Sequence, residues 1–202
     1  PHWIDTKIWE KLSKSQCKSE LNLPSEKFII GSFQRDTEGS DLLSPKLEKG
    51  PDIFIEKVLD ISKFKNVHVL LGGWRRQYVI KQLEDNNIPY TYIELAEIKK
   101  LNKMYNALDL YVVSSRCEGG PQSLFECSYL EIPIISTRVG QSSLLLDNKC
   151  IYEFDQKIKE NKISEAVSLN TIKINKDNVT NYELINHVKV YDDYFKKHGG
   201  SK

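Results

Sequence analysis

Near its middle the chain reads Leu110-Tyr-Val-Val-Ser-Ser-Arg-Cys-Glu-Gly-Gly-Pro-Gln-Ser-Leu-Phe-Glu126. The first four residues are apolar without alternation, which is typical of a strand buried on both faces of a parallel sheet. Two glycines then form a turn, and Pro121 stands where the first turn of a helix favours proline. A buried strand, a glycine turn and a helix in this order predict the first half of a βαβ unit.

The same pattern repeats on both sides of this segment. Short apolar runs rich in β-branched residues occur at 28–33, 67–71, 90–93, 132–136 and 150–152. Helical periodicity lies between them, beginning at Pro51 and recurring over 75–86 and 98–108. Strands that alternate with helices at this spacing predict right-handed crossovers and an α/β fold, with a Rossmann-like doubly wound parallel sheet.

The remainder of the chain indicates helices outside this sheet. Apolar residues between Leu184 and Phe195 fall on one face of a C-terminal helix, which Gly199-Gly200 would close. A further helical pattern lies near 155–168. We therefore expect three parts, a linker segment at 1–20, a Rossmann-like domain at 21–170 and a C-terminal helix and tail at 171–202.

Composition narrows the classes of function. The 202 residues carry 29 Lys+Arg against 28 Asp+Glu, a net charge of +1, and 40% of them are hydrophobic. This balance indicates a globular protein and argues against nucleic-acid binding, since aromatic and basic residues are not interleaved. No apolar run approaches the ~20 residues of a membrane-spanning helix. The sequence does not begin with Met and shows no signal-peptide pattern. We therefore expect a cytoplasmic piece of a longer chain. Contact of the absent part with the cytoplasmic face of a membrane stays an open alternative.

The cysteines and histidines show no metal-binding pattern. The four cysteines form no C-x-x-C pair, and the four histidines are scattered. We therefore expect free thiols in a reducing compartment and no metal site. His68 lies inside an apolar run, where a packed histidine is the expected state.

Ligands of such folds bind beyond the carboxyl ends of the strands, and three segments fall there. The first begins at Gln34 and includes a polar loop, 36–48, that is longer than the usual βα connection of about two to six residues. Arg35, Lys46 and Lys49 lie near the following helix N-terminus, and cations there suit a phosphate or diphosphate. The simpler alternative is that the lysines of this loop are solvated and bind no phosphate.

The second segment is the glycine turn itself. Gly119 and Gly120 permit close approach of the backbone to a ligand. Glu118 and Glu126 can border one cleft, where a carboxylate accepts hydrogen bonds from two adjacent hydroxyls, as acidic residues do with ribose. The alternative is that Glu118 is a solvated loop residue and Glu126 an exposed helix residue, with no role in binding. The third segment, 136–143, ends another strand in a Gly-Ser turn.

Together these segments resemble the retaining glycosyltransferases of the GT-B fold, in the large family 4 group, also called glycosyl transferases group 1. That family's hallmark is two glutamates separated by seven residues, and Glu118 and Glu126 have this spacing after Ser115-Arg116. Gly31-Ser-Phe-Gln-Arg35 and Lys49-Gly50 are similar to elements that follow the first strand of the family's donor domain.

The resemblance implies catalytic roles for the matching residues. Arg35 and Lys49 would neutralise the donor diphosphate and the charge that develops on the leaving nucleotide. Lys46 is an alternative second cation, because the long loop leaves the register open. Glu118, with the amides of Gly119-Gly120, would contact the transferred sugar.

The resemblance also implies how the donor nucleotide is bound. Glu126 would hold the ribose hydroxyls, and Gln122-Ser123-Leu124 would lie by the phosphates and ribose. The base would rest near Ile93 and Glu94. Members of the family generally need no metal cofactor, so none is expected here.

Length and local departures keep two alternatives open. Pro121, Glu131 and Gln141 stand where the family has glycine, and only one of its two Rossmann-like halves is matched, over about residues 3–155. We expect a donor domain without its acceptor-binding partner, which binds a UDP- or GDP-sugar and transfers little alone. The alternatives are a non-catalytic nucleotide or carbohydrate module and a GT-B-like epimerase, which the lack of histidine in the three loops disfavours.

Overall fold

The computed structural model describes residues 3–40 and 42–198. Within them the strands are β1 (Phe28–Ser32), β2 (Thr37–Glu38), β3 (Ser44–Pro45), β4 (Val67–Gly72), β5 (Tyr90–Ile93), β6 (Leu110–Val113), β7 (Ile134–Thr137) and β8 (Ile151–Tyr152). The helices are α1 (Lys14–Glu20), α2 (Pro51–Ser62), α3 (Gln77–Asp85), α4 (Ile98–Asn106), α5 (Gln122–Tyr129), α6 (Ser142–Leu145), α7 (Glu160–Ala166), α8 (Leu169–Thr180) and α9 (Leu184–His198).

Six strands form one parallel sheet in the order β5-β4-β1-β6-β7-β8. β1 pairs with β4 from Phe28↔Val67 to Ser32↔Leu71, and its other edge pairs with β6. The chain runs outward from β1 through β4 and β5, then crosses back to β6 and continues to β8. This is the doubly wound, Rossmann-like arrangement that the sequence predicts, and it puts a topological switch point between β1 and β6.

Burial on both faces explains the continuous apolar runs. Every residue of β4, β6 and β7 is buried. Helix α2 begins at Pro51 after Gly50, and packs an apolar stripe on the sheet that includes Ile53, Phe54, Val58 and Ile61. Each such side chain contributes about 1.5–3 kcal/mol relative to exposure.

The described residues of the polar loop 36–48 include two short strands that the sequence does not indicate. The loop contains a small hairpin in which β2 and β3 pair antiparallel. The amides of Asp36 and Thr37 both donate to the carbonyl of Arg75, at 3.2 and 3.3 Å. These bonds attach the start of the hairpin to the loop after β4, and no local sequence pattern signals a contact over such a separation.

The helices outside the sheet differ most from the sequence prediction. The prediction omits α1 and α8, and it extends α7 to 155–168. The side chain of Lys57, on α2, donates to the carbonyls of Phe154 and Gln156 at 2.8 and 2.9 Å. These bonds hold the segment before α7 as a turn, so the helix begins later than its periodicity indicates.

The start of the described chain meets the segment just before α9. The amide of Ile4 donates to the carbonyl of Tyr182 at 3.0 Å, and the amide of Leu184 donates back to Ile4 at 2.8 Å. Ile4 is fully buried, so the linker segment contributes to the core. The predicted C-terminal helix is confirmed as α9, while the glycines expected to close it, Gly199-Gly200, lie outside the described residues.

The predicted division at 1–20, 21–170 and 171–202 stays a prediction.

The four cysteines are free thiols, and three of them are buried. His68 is packed as expected, with Nε2 2.9 Å from the Thr91 hydroxyl, and burial lowers its pKa. In the described parts of the chain no helix is long and apolar enough to cross a bilayer.

Candidate functional site

A cavity of about 500 Å³ lies beyond the carboxyl ends of β1 and β4 and against α4 and α5. This volume falls within the range of about 300–1,000 Å³ that is usual for small-molecule sites. Five residues that the sequence predicts for the site line the cavity, namely Glu94, Glu118, Gln122, Ser123 and Glu126. The fold therefore brings the two signature glutamates to one cleft, next to the switch point.

Glu118 is held by two neighbours at the mouth of the cavity. Its Oε1 forms an ion pair with the Nζ of Lys49, and its Oε2 accepts a hydrogen bond from the Ser115 hydroxyl at 2.8 Å. Both members of the ion pair are largely buried. The carbonyl of Lys49 in turn accepts a hydrogen bond from the Gln34 side chain at 2.9 Å. A cation and a carboxylate from two different loops thus meet at this point.

The turn before α2 and the glycine-rich loop after β6 form one unit. Gly50 has a φ of +59°, and a Cβ added there would lie 1.9 Å from the carbonyl oxygen of Ser114. The amide of Arg116 donates to the carbonyl of Glu48 at 2.8 Å. Its guanidinium binds both carboxylate oxygens of Asp52, at 2.8 and 2.5 Å. Lys49 is therefore positioned by a rigid connection between the two loops.

The glycines of the second loop, between Glu118 and Pro121, are exposed or half-buried and do not themselves line the cavity. A Cβ added at Gly119 would meet no atom within 4 Å. Gly140 supports the loop from behind, because its φ is +52° and a Cβ there would lie 2.8 Å from the Cα of Gly120. Pro121 then caps α5 through its backbone alone. The side chain of Leu124 is fully buried in the core, so only its backbone is available near the cleft.

Glu126 lies in the cavity wall on α5 and is only 8% exposed. The hydroxyl of Tyr105, on α4, donates a hydrogen bond to its Oε2. Burial raises the pKa of the Glu126 carboxyl from its ordinary 4.5 to about 7, while the bond from Tyr105 acts in the opposite direction. This carboxyl group therefore titrates near neutral pH.

Seven predicted site residues are not among those that line the cavity: Lys49, Gly119, Gly120 and Leu124, described above, and Arg35, Lys46 and Ile93. The Nε of Arg35 donates to the carbonyl of Thr37 at 2.7 Å, and its guanidinium carbon lies 5.6 Å from the ring centroid of Trp74. Lys46 forms an ion pair with Glu48 at 2.8 Å. Ile93 ends β5, next to the residues that line the cavity. Of the three predicted cations, Lys49 is the one that contacts a signature glutamate.

Sequence reasoning missed two arrangements around the site. In the sequence Tyr105 falls only within the helical periodicity of 98–108, and the contact of its hydroxyl has no local signal. Asp36 forms a buried ion pair with Arg76 at 2.6 Å, and Arg76 also donates to the carbonyls of Ser32 and Gly72 at 2.5 and 2.8 Å. This pair fixes the ends of β1 and β4 that border the cleft.

Within residues 3–40 and 42–198, no group of three or more His, Cys, Asp or Glu side chains could hold a metal ion.

Comparison with known proteins identifies the family that this chain matches. The family model described as Glycosyl transferases group 1 matches residues 42–169. A curated relative is the lipopolysaccharide core biosynthesis mannosyltransferase LpsB of Rhizobium meliloti. It is 24% identical over 158 residues, which cover 72% of this chain and 41% of the relative.

Solved structures share the fold. Sucrose-phosphate synthase from Thermosynechococcus elongatus has a TM-score of 0.76 at 15% identity, covering 98% of this chain and 52% of that one. Anabaena HepE, in complex with UDP and glucose, has a TM-score of 0.76 at 13% identity, covering 96% and 55%. The C-terminal domain of the group 1 protein LpcC from Francisella tularensis has a TM-score of 0.68 at 18% identity, covering 90% and 99%.

The fold is thus the Rossmann-like C-terminal domain of a GT-B glycosyltransferase. The chain belongs to the glycosyl transferases group 1 family, as its sequence predicts, because the family model matches well over half of it. The chain spans 41% of LpsB and about half of the sucrose-phosphate synthase and HepE structures.

Proposed function

We propose that this chain is the donor-binding domain of a retaining glycosyltransferase, which transfers a hexosyl group from a UDP- or GDP-sugar to an acceptor. One observation carries the proposal, namely that Glu118, Glu126 and the start of α5 converge on one cavity in a chain of the group 1 family. The relatives support it, since LpsB is named a mannosyltransferase and HepE was crystallised with UDP and glucose.

The nucleotide would lie along the cavity. Glu126 would accept hydrogen bonds from the ribose hydroxyls, and the base would rest by the loop after β5, at Glu94. The diphosphate would face the amides at the start of α5 and of Gly119-Gly120, where a helix N-terminus adds partial positive charge. Every donor group would then meet a protein group of complementary charge or hydrogen-bonding capacity.

Lys49 and Glu118 would change partners when the donor binds. In the structure these two side chains neutralise each other. A diphosphate would draw Lys49 to itself, and the Glu118 carboxylate could then accept hydrogen bonds from the transferred sugar. Lys49 would next stabilise the negative charge that develops on the leaving nucleotide. Arg35 would join it only after leaving the carbonyl of Thr37.

We also propose that the reaction uses no metal cofactor, because Lys49, Arg35 and the α5 amides would supply the positive charge that a divalent ion supplies elsewhere. The acceptor would bind to a second Rossmann-like half, on the cytoplasmic side of a membrane or in the cytoplasm, so this chain alone would transfer little. A non-catalytic binding module is the second candidate, favoured by the contacts that hold Arg35 away from the cavity.

Calorimetric titration with UDP, GDP and their hexose conjugates tests donor binding. We expect wild-type protein to bind at least one of them, and Glu126→Ala and Lys49→Ala to weaken binding by about tenfold or more, since each removes a charged contact. Lys81→Ala is the charge-matched control, because Lys81 pairs with Asp85 on the exposed face of α3.

Lys46→Ala separates the two candidate cations, and we expect a smaller loss than for Lys49→Ala. Absence of binding to all of these nucleotides at millimolar concentration would overturn the proposal. An equal loss in Lys81→Ala would reduce the effect of Lys49 to one of net charge. Transfer by a complex with a complementary N-terminal half, absent in Glu118→Ala, would favour the enzyme over the binding module.

A further inference from the structure

We propose that Tyr105 is a positioning residue of the nucleotide site, whose hydroxyl holds the Glu126 carboxylate in the orientation that the ribose hydroxyls meet. The inference rests on the proposed function, because it adds a second residue to the role of Glu126. Tyr105 itself lies behind that carboxylate on α4 and is only 3% exposed.

The ring of Tyr105 is fixed by aromatic neighbours from three parts of the chain. Phe33, after β1, contacts it edge-on at a centroid distance of 4.9 Å, and Trp9, from the linker segment, does so at 5.5 Å. Tyr111, on β6, lies 5.6 Å away in a tilted arrangement. Edge-on contacts of this kind fix ring orientation as well as position. The hydroxyl is therefore aimed at Glu126 by packing alone.

The bond leaves part of the carboxylate available. Tyr105 donates to Oε2 of Glu126. No group within residues 3–40 and 42–198 donates to Oε1, and the side chain lines the cavity. A carboxylate can accept about four hydrogen bonds. One is used to fix its plane, and the others can be directed to two adjacent hydroxyls.

The groups around Glu126 make the Tyr105 hydroxyl important for the charge state of its carboxyl group. The titratable groups that face it are Tyr105 from α4, Tyr111 from β6, Cys127 from α5 itself, and Glu94, Glu97 and Glu118 around the cavity. In the described chain no Lys, Arg or His forms an ion pair with Glu126. Burial raises the pKa of its carboxyl group to about 7, and the bond from Tyr105 lowers it. Near neutral pH, the ionised fraction of Glu126 therefore depends on the Tyr105 hydroxyl.

The test measures nucleotide affinity against pH. Calorimetry from about pH 5.5 to 8.5 uses whichever of UDP and GDP binds, with wild-type, Tyr105→Phe and Glu126→Gln proteins. Tyr105→Phe keeps the ring and removes the donor. We expect its affinity at pH 7 to fall by about fivefold to tenfold, and the midpoint of its pH profile to rise by about one unit. Glu126→Gln should show only the titration of the nucleotide phosphate, which is common to all the proteins.

Tyr152→Phe is the matched control. Tyr152 is equally buried, and its hydroxyl donates to the carbonyl of Val113 at 2.8 Å, outside the cavity lining. We expect this variant to lose some stability while its affinity and pH midpoint stay at the wild-type values. If Tyr105→Phe does not fold, Glu126→Asp serves instead, because it keeps the charge but withdraws the carboxylate from the hydroxyl. Its midpoint should also rise, but by less than in Tyr105→Phe, because the ordinary pKa of aspartate is about 0.4 units below that of glutamate.

The outcomes separate the two claims. If wild-type protein binds nucleotide and the Tyr105→Phe midpoint coincides with that of Tyr152→Phe, the inference is wrong and the proposed function stands. If wild-type protein binds neither UDP nor GDP, the proposed function fails and the inference fails with it. An affinity loss without a midpoint shift would reduce Tyr105 to a packing residue.

Discussion

Two buried carboxylates, Asp36 near the ends of β1 and β4 and Glu126 in the cavity wall, have different partners and therefore different properties. Asp36 faces the guanidinium of Arg76, and both side chains are 1% exposed. Removing one member of such a pair typically costs about 3–5 kcal/mol, because the other charge is left buried alone. Among the residues that the structure describes, Glu126 meets no cation and accepts only the Tyr105 hydroxyl. The first carboxylate is suited to fixing strand ends, and the second to exchanging protons or binding hydroxyls.

The isolated position of Glu126 predicts a pH-dependent cost to stability. Its pKa is about 7 in the folded chain and ordinarily 4.5, so the folded protein takes up a proton between these values. The folded state is thus favoured below pH 4.5, and this advantage is lost as the pH rises towards 7. Relative to Glu126→Gln, wild-type stability should fall by at most about 3 kcal/mol from pH 5 to 7. Urea unfolding of both proteins across this range measures the difference.

Glu131→Gln is the control for this prediction. Glu131 is paired with Lys176, which holds its pKa below the ordinary value. Its stabilising effect is present above the ordinary pKa of 4.5 and is lost only as the pH falls below that value, so the stability difference of Glu131→Gln should stay nearly constant from pH 5 to 7. A change with pH in Glu131→Gln that matches the change in Glu126→Gln over this range would contradict the assignment of the effect to burial of Glu126.

At the scale of elements, the two loops of the cleft depend on glycines for different reasons. Gly50 adopts a positive φ and touches the carbonyl of Ser114, so Gly50→Ala should destabilise the chain by about 2–4 kcal/mol and weaken nucleotide binding. Gly119 has open space around it. Gly119→Ala should therefore remain within about 1 kcal/mol of wild type in stability. Denaturant unfolding and nucleotide titration of both variants check this contrast.

Comparing Gly50→Ala with Gly119→Ala also distinguishes an effect on folding stability from an effect on the approach of the ligand. A large loss of nucleotide affinity in Gly119→Ala, with stability unchanged, would mean that the ligand contacts the backbone at that glycine. If Gly50→Ala were as stable as wild type, the close packing of the α2 turn against the β6 loop would be wrong.

Elements with strong local patterns were predictable from the sequence, and those made by distant contacts were not. All six strands of the parallel sheet follow from continuous apolar runs, and the spacing of Glu118 and Glu126 locates the cleft. The polar, β-branched sequence of helix α8 gives no clear helical signal, and the helix packs against α5, α6 and α7. The contact of Tyr105 with Glu126 joins residues 21 positions apart, and only the packing of α4 beside α5 reveals it.

At the scale of the whole molecule, the start of the described chain pairs with the segment before α9, and α9 then extends beyond the core. The bridge between Ile4 and Glu183 joins the linker segment to the start of α9. Tyr182 reinforces this junction by packing edge-on against Phe125 at a centroid distance of 5.5 Å. After this point no residue of α9 is buried, and Ile185, Val190 and Phe195 are each about two-thirds exposed. Cooperative stability should therefore end near the junction.

Two truncations test where that stability ends. Ending the chain after Lys189 removes most of α9 but no side chain that is buried in the described part of the chain, so the free energy of unfolding should change by less than about 1 kcal/mol. Ending it after Asn181 also removes Tyr182, with its ring packing and its hydrogen bond to Ile4, and should cost about 2 kcal/mol or more. Urea unfolding of both chains gives the comparison. Equal losses would mean that α9 contributes to the folded core, because only then would its exposed turns carry the free energy assigned here to the junction.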